Sequence, residues 1–494
     1  MNIKEAKEYI KQTVSLYLQK DEFGEYEIPV VRQRPVFLLG APGVGKTAIM
    51  EQVAKELGIA LVSYAMTHHT RQSALGLPVI KHKVYDGVET EVTEYTMSEI
   101  ISTMYDTMEV SGIKEGILFL DEINCVSETL APSMLQFLQY KEFGNHRIPD
   151  GWVVVTAGNP PEFNKSVREF DVVVMDRLKV LEVTPDYKVF REYAYEMGIH
   201  PAIINFLDLK KEYFYLIENT VKGRSYVTAR GWEDLSSIIL KYESAGFKVE
   251  ESLVEQYLRN VKVVKEFTAY YDLYQKYKKD YGVNEILKGQ YSEASVEKAK
   301  KAAFDERLSL LGMIMDRVLK DMKDCVVLTD CISKLQPVLK SLESEVNLPE
   351  RLHELSESNR KQLLNLTKAG SLSKDNEKSI HYSIRFMDEA RKEIIENDGN
   401  YETVKARFNK SLAEIKEKAS LTSSELLFAF DFISKAFEGG NEMLIFVTNL
   451  TVGAYAARFL ARFPSEQYQR FHKELMIDNR TEDINNRIDN LLSE

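Results

Sequence analysis

Gly40-Ala41-Pro42-Gly43-Val44-Gly45-Lys46-Thr47 fills the pattern G-x-x-x-x-G-K-[ST] in full, and Ala48 follows it. Such a run holds phosphate, because its glycines let the backbone curl until successive N–H groups converge on phosphate oxygens. Lys46 can then reach the β- and γ-phosphates, and the Thr47 hydroxyl can ligate Mg²⁺. About 75 residues after Lys46, Gly116-Ile117-Leu118-Phe119-Leu120-Asp121-Glu122 is apolar up to two carboxylates. A buried strand ending in Asp121 sets that carboxylate beside the metal, directly or through a water. Glu122 is then placed to orient and polarise an attacking water. A further apolar run ends in Ala157-Gly158-Asn159-Pro160-Pro161. Asn159 there is either a hydrogen-bonding group for the γ-phosphate or lytic water, or an ordinary turn asparagine tolerant of left-handed backbone. The chemistry these residues can do is hydrolysis of Mg-ATP.

That chemistry needs a frame. Val36-Phe37-Leu38-Leu39 is a short all-apolar run suited to a buried parallel strand, and it leads directly into the glycine loop. A helix follows over residues 46–57, ended by Gly58. Further strands are expected over residues 59–64, 116–120, 152–157 and 178–183. Strands separated by helical segments imply a parallel sheet with crossover helices. Residues 1–20 have apolar positions at helical spacing. One insert breaks the alternation: residues 79–85 and 88–95 flank Asp86-Gly87, a strong hairpin signal.

The motifs in this order resemble the AAA+ ATPases, specifically the MoxR group. The matching stretches are Gly40 to Thr47, Leu120-Asp121-Glu122-Ile123-Asn124, Ala157-Gly158-Asn159-Pro160, Met175-Asp176-Arg177-Leu178 and Thr228-Ala229-Arg230, over about residues 30–245. The resemblance implies an α/β P-loop AAA+ core, with a β-hairpin insert, over residues 1–183. A helical lid (184–247) would follow; the remainder (248–494), which the resemblance does not cover, reads from its helical spacing as an all-α region for assembly or partner binding. It implies that Asn159 is the sensor-1 residue, Arg177 the arginine finger acting on a neighbouring subunit's ATP, and Arg230 the sensor-2 residue. Residue types alone favour a surface ion-pair partner for each arginine. The chain departs from the group at Cys125, where an arginine is usual, and before Arg177, and Arg168 is a competing finger. Ring assembly, with six subunits, and a partner bearing a von Willebrand factor A domain are likewise implied by the resemblance.

The totals narrow the class. The chain of 494 residues allows two to four domains. A formal net charge of −12 argues against general attraction to nucleic acid. Three cysteines (Cys125, Cys325, Cys331) make no disulfide framework and fit a reducing cytoplasm. The charged first 20 residues do not read as a signal peptide. No stretch of about 18 uninterrupted apolar residues occurs, and 443–463, broken by Asn449, Arg458 and Arg462, reads as a core helix.

From Thr184 onward the pattern reads as almost entirely helical, with helices near 186–197, 229–242, 303–320, 376–397, 401–419 and 423–437. Thr422 and Glu425 have capping-box spacing, and Gly439-Gly440 marks a break. Phe267, Tyr270, Tyr271, Tyr274, Tyr277 and Tyr281 form one helical stripe interleaved with lysines. A base-stacking face is one reading and a core stripe the simpler one. His68 and His69, adjacent on extended chain, point opposite ways and suit an interaction segment better than chelation. The expected function is a ring-forming, Mg-ATP-hydrolysing AAA+ remodelling or maturation factor for a protein client. The alternative is a nucleic-acid-stimulated or restriction/defence-type motor subunit.

Overall fold

The computed structural model describes residues 1–163, 167–220, 223–343, 345, 347–437 and 440–474. The chain folds as two compact units, Met1–Val189 with Leu355–Ile384, and Phe190–Glu354 with Arg385–Glu494. Gly439 lies outside the described residues.

The first unit is built on strands β1 (Val36–Gly40), β2 (Ala60–Ala65), β3 (Pro78–Tyr85), β4 (Val88–Tyr95), β5 (Gly116–Asp121), β6 (Glu142–Phe143), β7 (His146–Arg147), β8 (Trp152–Gly158) and β9 (Lys179–Val183). Five of them form one parallel sheet in the order β2-β5-β8-β1-β9. Every residue of β8 is buried, as is β5 up to Leu120, which is why these strands read as unbroken apolar runs. Phe37, Leu118 and Val154 share one core with Met104 and Phe137 of the crossover helices Glu99–Ser111 and Ala131–Tyr140. The first helix, Ile3–Tyr17, begins with a capping box between Asn2 and Glu5 and buries Ala6, Ile10 and Val14.

The expected hairpin forms from β3 and β4 in full antiparallel register, Pro78↔Tyr95 to Tyr85↔Val88. Asp86 (φ 51°) and Gly87 (φ 81°) both take left-handed backbone, as a two-residue hairpin turn of matching twist requires. Every residue of β3 is exposed.

In the second unit, the long helices Phe304–Ser341 and Tyr401–Phe437 pack through Ile314, Val318, Phe430 and Ile433. The largely helical region after Thr184 also holds one strand pair, β10 (Leu216–Thr220) and β11 (Gly223–Val227), which pair antiparallel. Two expectations are corrected here. The two helices expected over 401–419 and 423–437 are one, and Thr422 and Glu425 are buried inside it, so they cap nothing. The segment 443–463 is two helices, Asn441–Val452 and Ala454–Arg462, bent by 85° at Gly453. Phe446, Leu450 and Phe459 of these helices are buried in the protein's own core, while Leu444 and Val452 are exposed. No single helix among the described residues is long and apolar enough to cross a membrane.

The tyrosine stripe lies on the helix Val261–Tyr281. Phe267, Tyr271, Tyr274 and Tyr281 are buried, while Lys276, Lys278 and Lys279 are on its more exposed side. The stripe is core, with its lysines on the solvated side.

Candidate functional site

The sheet order brings three chain ends to one edge. β8 lies between β5 and β1, so the residues following β1, β5 and β8 emerge side by side at the carboxyl ends of the strands, the edge where open parallel sheets bind ligands. The loop after β1 turns through Gly43 (φ 75°) and Gly45 (φ 97°), left-handed positions that other residues resist. Gly45 then caps the helix Lys46–Leu57 with no side chain of its own. That helix start presents backbone N–H groups and the positive end of its dipole to the loop.

Lys46 is buried, and its Nζ donates to Gly40 O (2.8 Å), Ala41 O (2.9 Å) and Asn159 Oδ1 (2.9 Å). The ammonium is therefore folded against the loop, with Asn159 as the side chain that meets it from β8. One residue on, Thr47 Oγ1 donates to Asp121 Oδ2 at 2.9 Å. The other oxygen, Asp121 Oδ1, accepts the Glu122 N–H at 2.9 Å. Asp121 is thus oriented from both sides, with its second oxygen turned toward the Thr47 hydroxyl. Ala48 lies on the exposed side of the first helical turn.

Glu122 leaves β5 in left-handed backbone (φ 55°, ψ 36°), which costs a non-glycine residue energy and re-aims its side chain away from the strand direction. Its Oε2 accepts a hydrogen bond from Thr67 Oγ1 at 3.0 Å. Asn124 Nδ2 donates to Asn159 O at 2.8 Å. Asn124 packs so closely on the end of β8 that a Cβ on Gly158 would come within 2.5 Å of its Oδ1. Asn124 therefore ties the loop after β5 to the loop after β8. Sequence reasoning placed Thr67 only in an interaction segment with His68 and His69 and gave Asn124 no role of its own. Thr67 opens the polar run after β2, but nothing local in that run points to a partner 55 residues on.

Arg177 follows the short helix Val172–Met175 and precedes β9. Val36 pairs with Lys179 and Gly40 with Val183, so Arg177 sits at the edge of the sheet opposite its own phosphate loop. The four residue steps from Lys179 to Val183 alone span roughly 13 Å at about 3.3 Å each. Arg177 is exposed, lines a cavity of about 360 Å³ beside Tyr140 and Asp171, and makes no ion pair among the described residues. Arg168 pairs at the surface with Glu128. Arg230, in the second unit, is exposed in the first turn of the helix Ala229–Ala245, which Thr228 caps.

His68 is exposed, while His69 contacts Ser73 through Nδ1 and lies edge-on to Tyr64. Cys125 is half-buried with its Sγ 3.9 Å from Asn124 Oδ1, and burial together with the nearby Glu122 and Asp121 carboxylates raises its pKa.

The donor set fits a magnesium nucleoside triphosphate. Thr47 and Asp121 offer hydroxyl and carboxylate oxygens to a hard cation, and Lys46 with the loop amides offers positive groups to phosphate. Residues 35–178 match the AAA domain of the dynein-related subfamily. Solved structures similar to this chain include a proline-to-glycine mutant of Thermotoga maritima RuvB, at 16% identity over 51% of this chain and 69% of that chain, TM-score 0.28. Another is the Thermotoga maritima RuvB Holliday junction branch migration motor, at 16% identity over 52% of this chain and 70% of that one, TM-score 0.28. No curated protein matches. Four of the five sheet strands and the phosphate loop lie inside the matched span, so this part of the chain, residues 35–178, is an AAA domain.

Proposed function

We propose that the chain hydrolyses Mg-ATP as a ring-forming AAA+ ATPase of MoxR type and uses the turnover to remodel or mature a protein client. The observation that carries the catalytic part is the pair of contacts Thr47–Asp121 and Lys46–Asn159, with Glu122 next in the chain. Lys46, the loop amides and the start of the helix Lys46–Leu57 would hold the phosphates, and Thr47 and Asp121 the Mg²⁺. Bound Mg²⁺ supplies positive charge to the phosphate oxygens. Glu122, anchored through one oxygen by Thr67, has its other oxygen to accept a proton from the attacking water. Asn159 orients the same region through its amide. Arg230 is the sensor-2 residue of this reading, and residues 184–247 are its lid.

The ring is supported by Arg177, which stands at the sheet edge away from its own loop, with no ion pair among the described residues. A guanidinium so placed serves a neighbour's γ-phosphate, where it stabilises charge spread over the transition state. Six subunits, a cytoplasmic setting and a partner with a von Willebrand factor A domain extend the reading, on the motifs shared with the MoxR group. The net charge of −12 favours a protein client over nucleic acid.

The test is specific ATPase activity against protein concentration, with oligomer mass followed in parallel. Activity rising with ring formation is the expected result. Constant specific activity from a monomer would overturn the ring and the trans-acting Arg177 together.

A further inference from the structure

β2 is the edge strand of the ATPase sheet. Its amides alternate in direction. Ala60 N–H turns inward to Glu115 O at 2.9 Å, and Leu61 N–H turns outward. The outward amide is met by Ala369 O at 3.0 Å, 308 residues further along the chain. Ala369 is fully buried and belongs to the same core cluster as Ala60, Val62 and Leu118. Gly370 follows with φ 66°, and a Cβ there would stand 3.5 Å from Leu61 O. The tight turn at Ala369-Gly370 therefore lies directly on the strand.

This turn joins the helices Leu348–Lys368 and Lys374–Asn397. Only their adjoining stretches, Leu355–Ile384, belong to the first unit. Both helices continue without a break into residues of the second. β2 runs on from Leu61 to Ala65, then into the turn Met66–His68, where Thr67 holds Glu122. Met66 is fully buried, so the step from strand to Thr67 is itself fixed in the core.

We propose that the Ala369-Gly370 turn is a clip by which the C-terminal helical segment sets the position of β2, and through it the Thr67–Glu122 hydrogen bond, so that ATP turnover answers to that segment. The proposal rests on the ATPase reading above. The plainer role for such a contact is cover for an exposed strand edge, and that role predicts no effect on turnover once the protein is folded. Ala369 and Gly370 act here as positioning residues, through β2 and Thr67, and neither touches nucleotide.

The experiment uses the full chain with Ala369→Glu, which drives a charge into the contact, and the milder Gly370→Val, which strains the left-handed turn. Hydrogen exchange of the β2 peptide reports whether the clip has opened, and ADP affinity reports whether the phosphate loop is intact. With the clip open, β2 amides exchange at least about tenfold faster and kcat falls at least about threefold, while KM and ADP affinity stay within about twofold. In a Thr67→Val background the same substitutions produce no further loss of kcat, because the bond they act through is already gone. Faster exchange with unchanged kcat, or a kcat loss that adds in full to that of Thr67→Val, overturns the clip. A wild-type chain that never hydrolyses ATP, even when assembled, overturns the ATPase reading itself and the clip's role with it.

Discussion

Thr67 Oγ1 stands 3.0 Å from Glu122 Oε2, joining the turn after the edge strand to the residue we propose activates water. Glu122 has left-handed backbone and therefore little help from its own strand in choosing a side-chain direction. The Thr67 hydroxyl supplies that direction. Thr67→Val keeps the shape of the side chain and removes the donor. Since the bond is exposed, about 1 kcal/mol is at stake, or roughly fivefold in kcat. KM and ADP affinity should be unchanged, because Lys46 and Thr47 are untouched. Thr67→Ser, which restores the hydroxyl, should recover the rate. Equal kcat in wild type and Thr67→Val would show that the contact does not orient Glu122.

Lys46 and Glu122 separate binding from chemistry. Lys46 Nζ is the buried cation of the loop, so Lys46→Ala should weaken ATP binding at least about 100-fold, the order set by losing charge-assisted bonds to phosphate. Glu122→Gln keeps the Thr67 contact but removes the base. It should bind ATP normally and hydrolyse it about 100-fold more slowly. Titration with a fluorescent ATP analogue and single-turnover hydrolysis distinguish the two. Normal affinity in Lys46→Ala would overturn the phosphate-loop assignment, and near-wild-type turnover in Glu122→Gln would remove Glu122 as the base.

What the sequence made legible was local. The apolar strand, glycine loop and helix around residues 36–57 are contiguous, so pattern alone locates them. β5 and β8 read clearly because a strand buried on both faces carries no polar interruption. Asn159 is ambiguous in sequence, because nothing in the residues around it encodes that β8 lies between β5 and β1. The long helices defeated the same reasoning in reverse. Thr422 and Glu425 have capping spacing, yet they sit buried in the middle of Tyr401–Phe437, where tertiary packing outweighs the local preference. The contact of Leu61 with Ala369 was invisible for a third reason: it is a backbone bond, and backbone carries no sequence signal.

The second unit should show a pH-dependent stability that one substitution removes. Asp316 sits in the helix Phe304–Ser341, and burial pushes its carboxyl up to about 6 against the opposing pull of His200, Lys320, Lys278 and Arg317. The native state therefore binds more protons than the unfolded chain between about pH 3.8 and 6. Stability from this group is present below that window and is lost as pH rises through about 6. Asp316→Asn removes the titration. The stability gap between variant and wild type should widen in the variant's favour by up to about 3 kcal/mol from about pH 4 to about pH 7.5, read from urea midpoints. A gap that does not change with pH would mean the carboxyl titrates alike in both states.

Arg177 gives the sharpest test of assembly. It is exposed, without an ion pair among the described residues, and it lies away from its own loop across the length of β9. Arg177→Ala should cut turnover at least about 1000-fold, the scale of a lost arginine finger, with ATP affinity intact. Beside it Val172 and Val173 are exposed at 84% and 58%, an apolar pair that a neighbouring subunit would cover. Val172→Glu should therefore lower oligomer mass and activity together, whereas Arg177→Ala lowers activity in a ring of normal mass. Mixing Arg177→Ala with Glu122→Gln subunits should restore part of the activity, because some junctions then pair an intact Glu122 with an intact neighbouring Arg177. No recovery at any mixing ratio would count against action across subunits. Arg168, which spends its charge on Glu128, would then be the residue to exchange next, with the same mixing as readout.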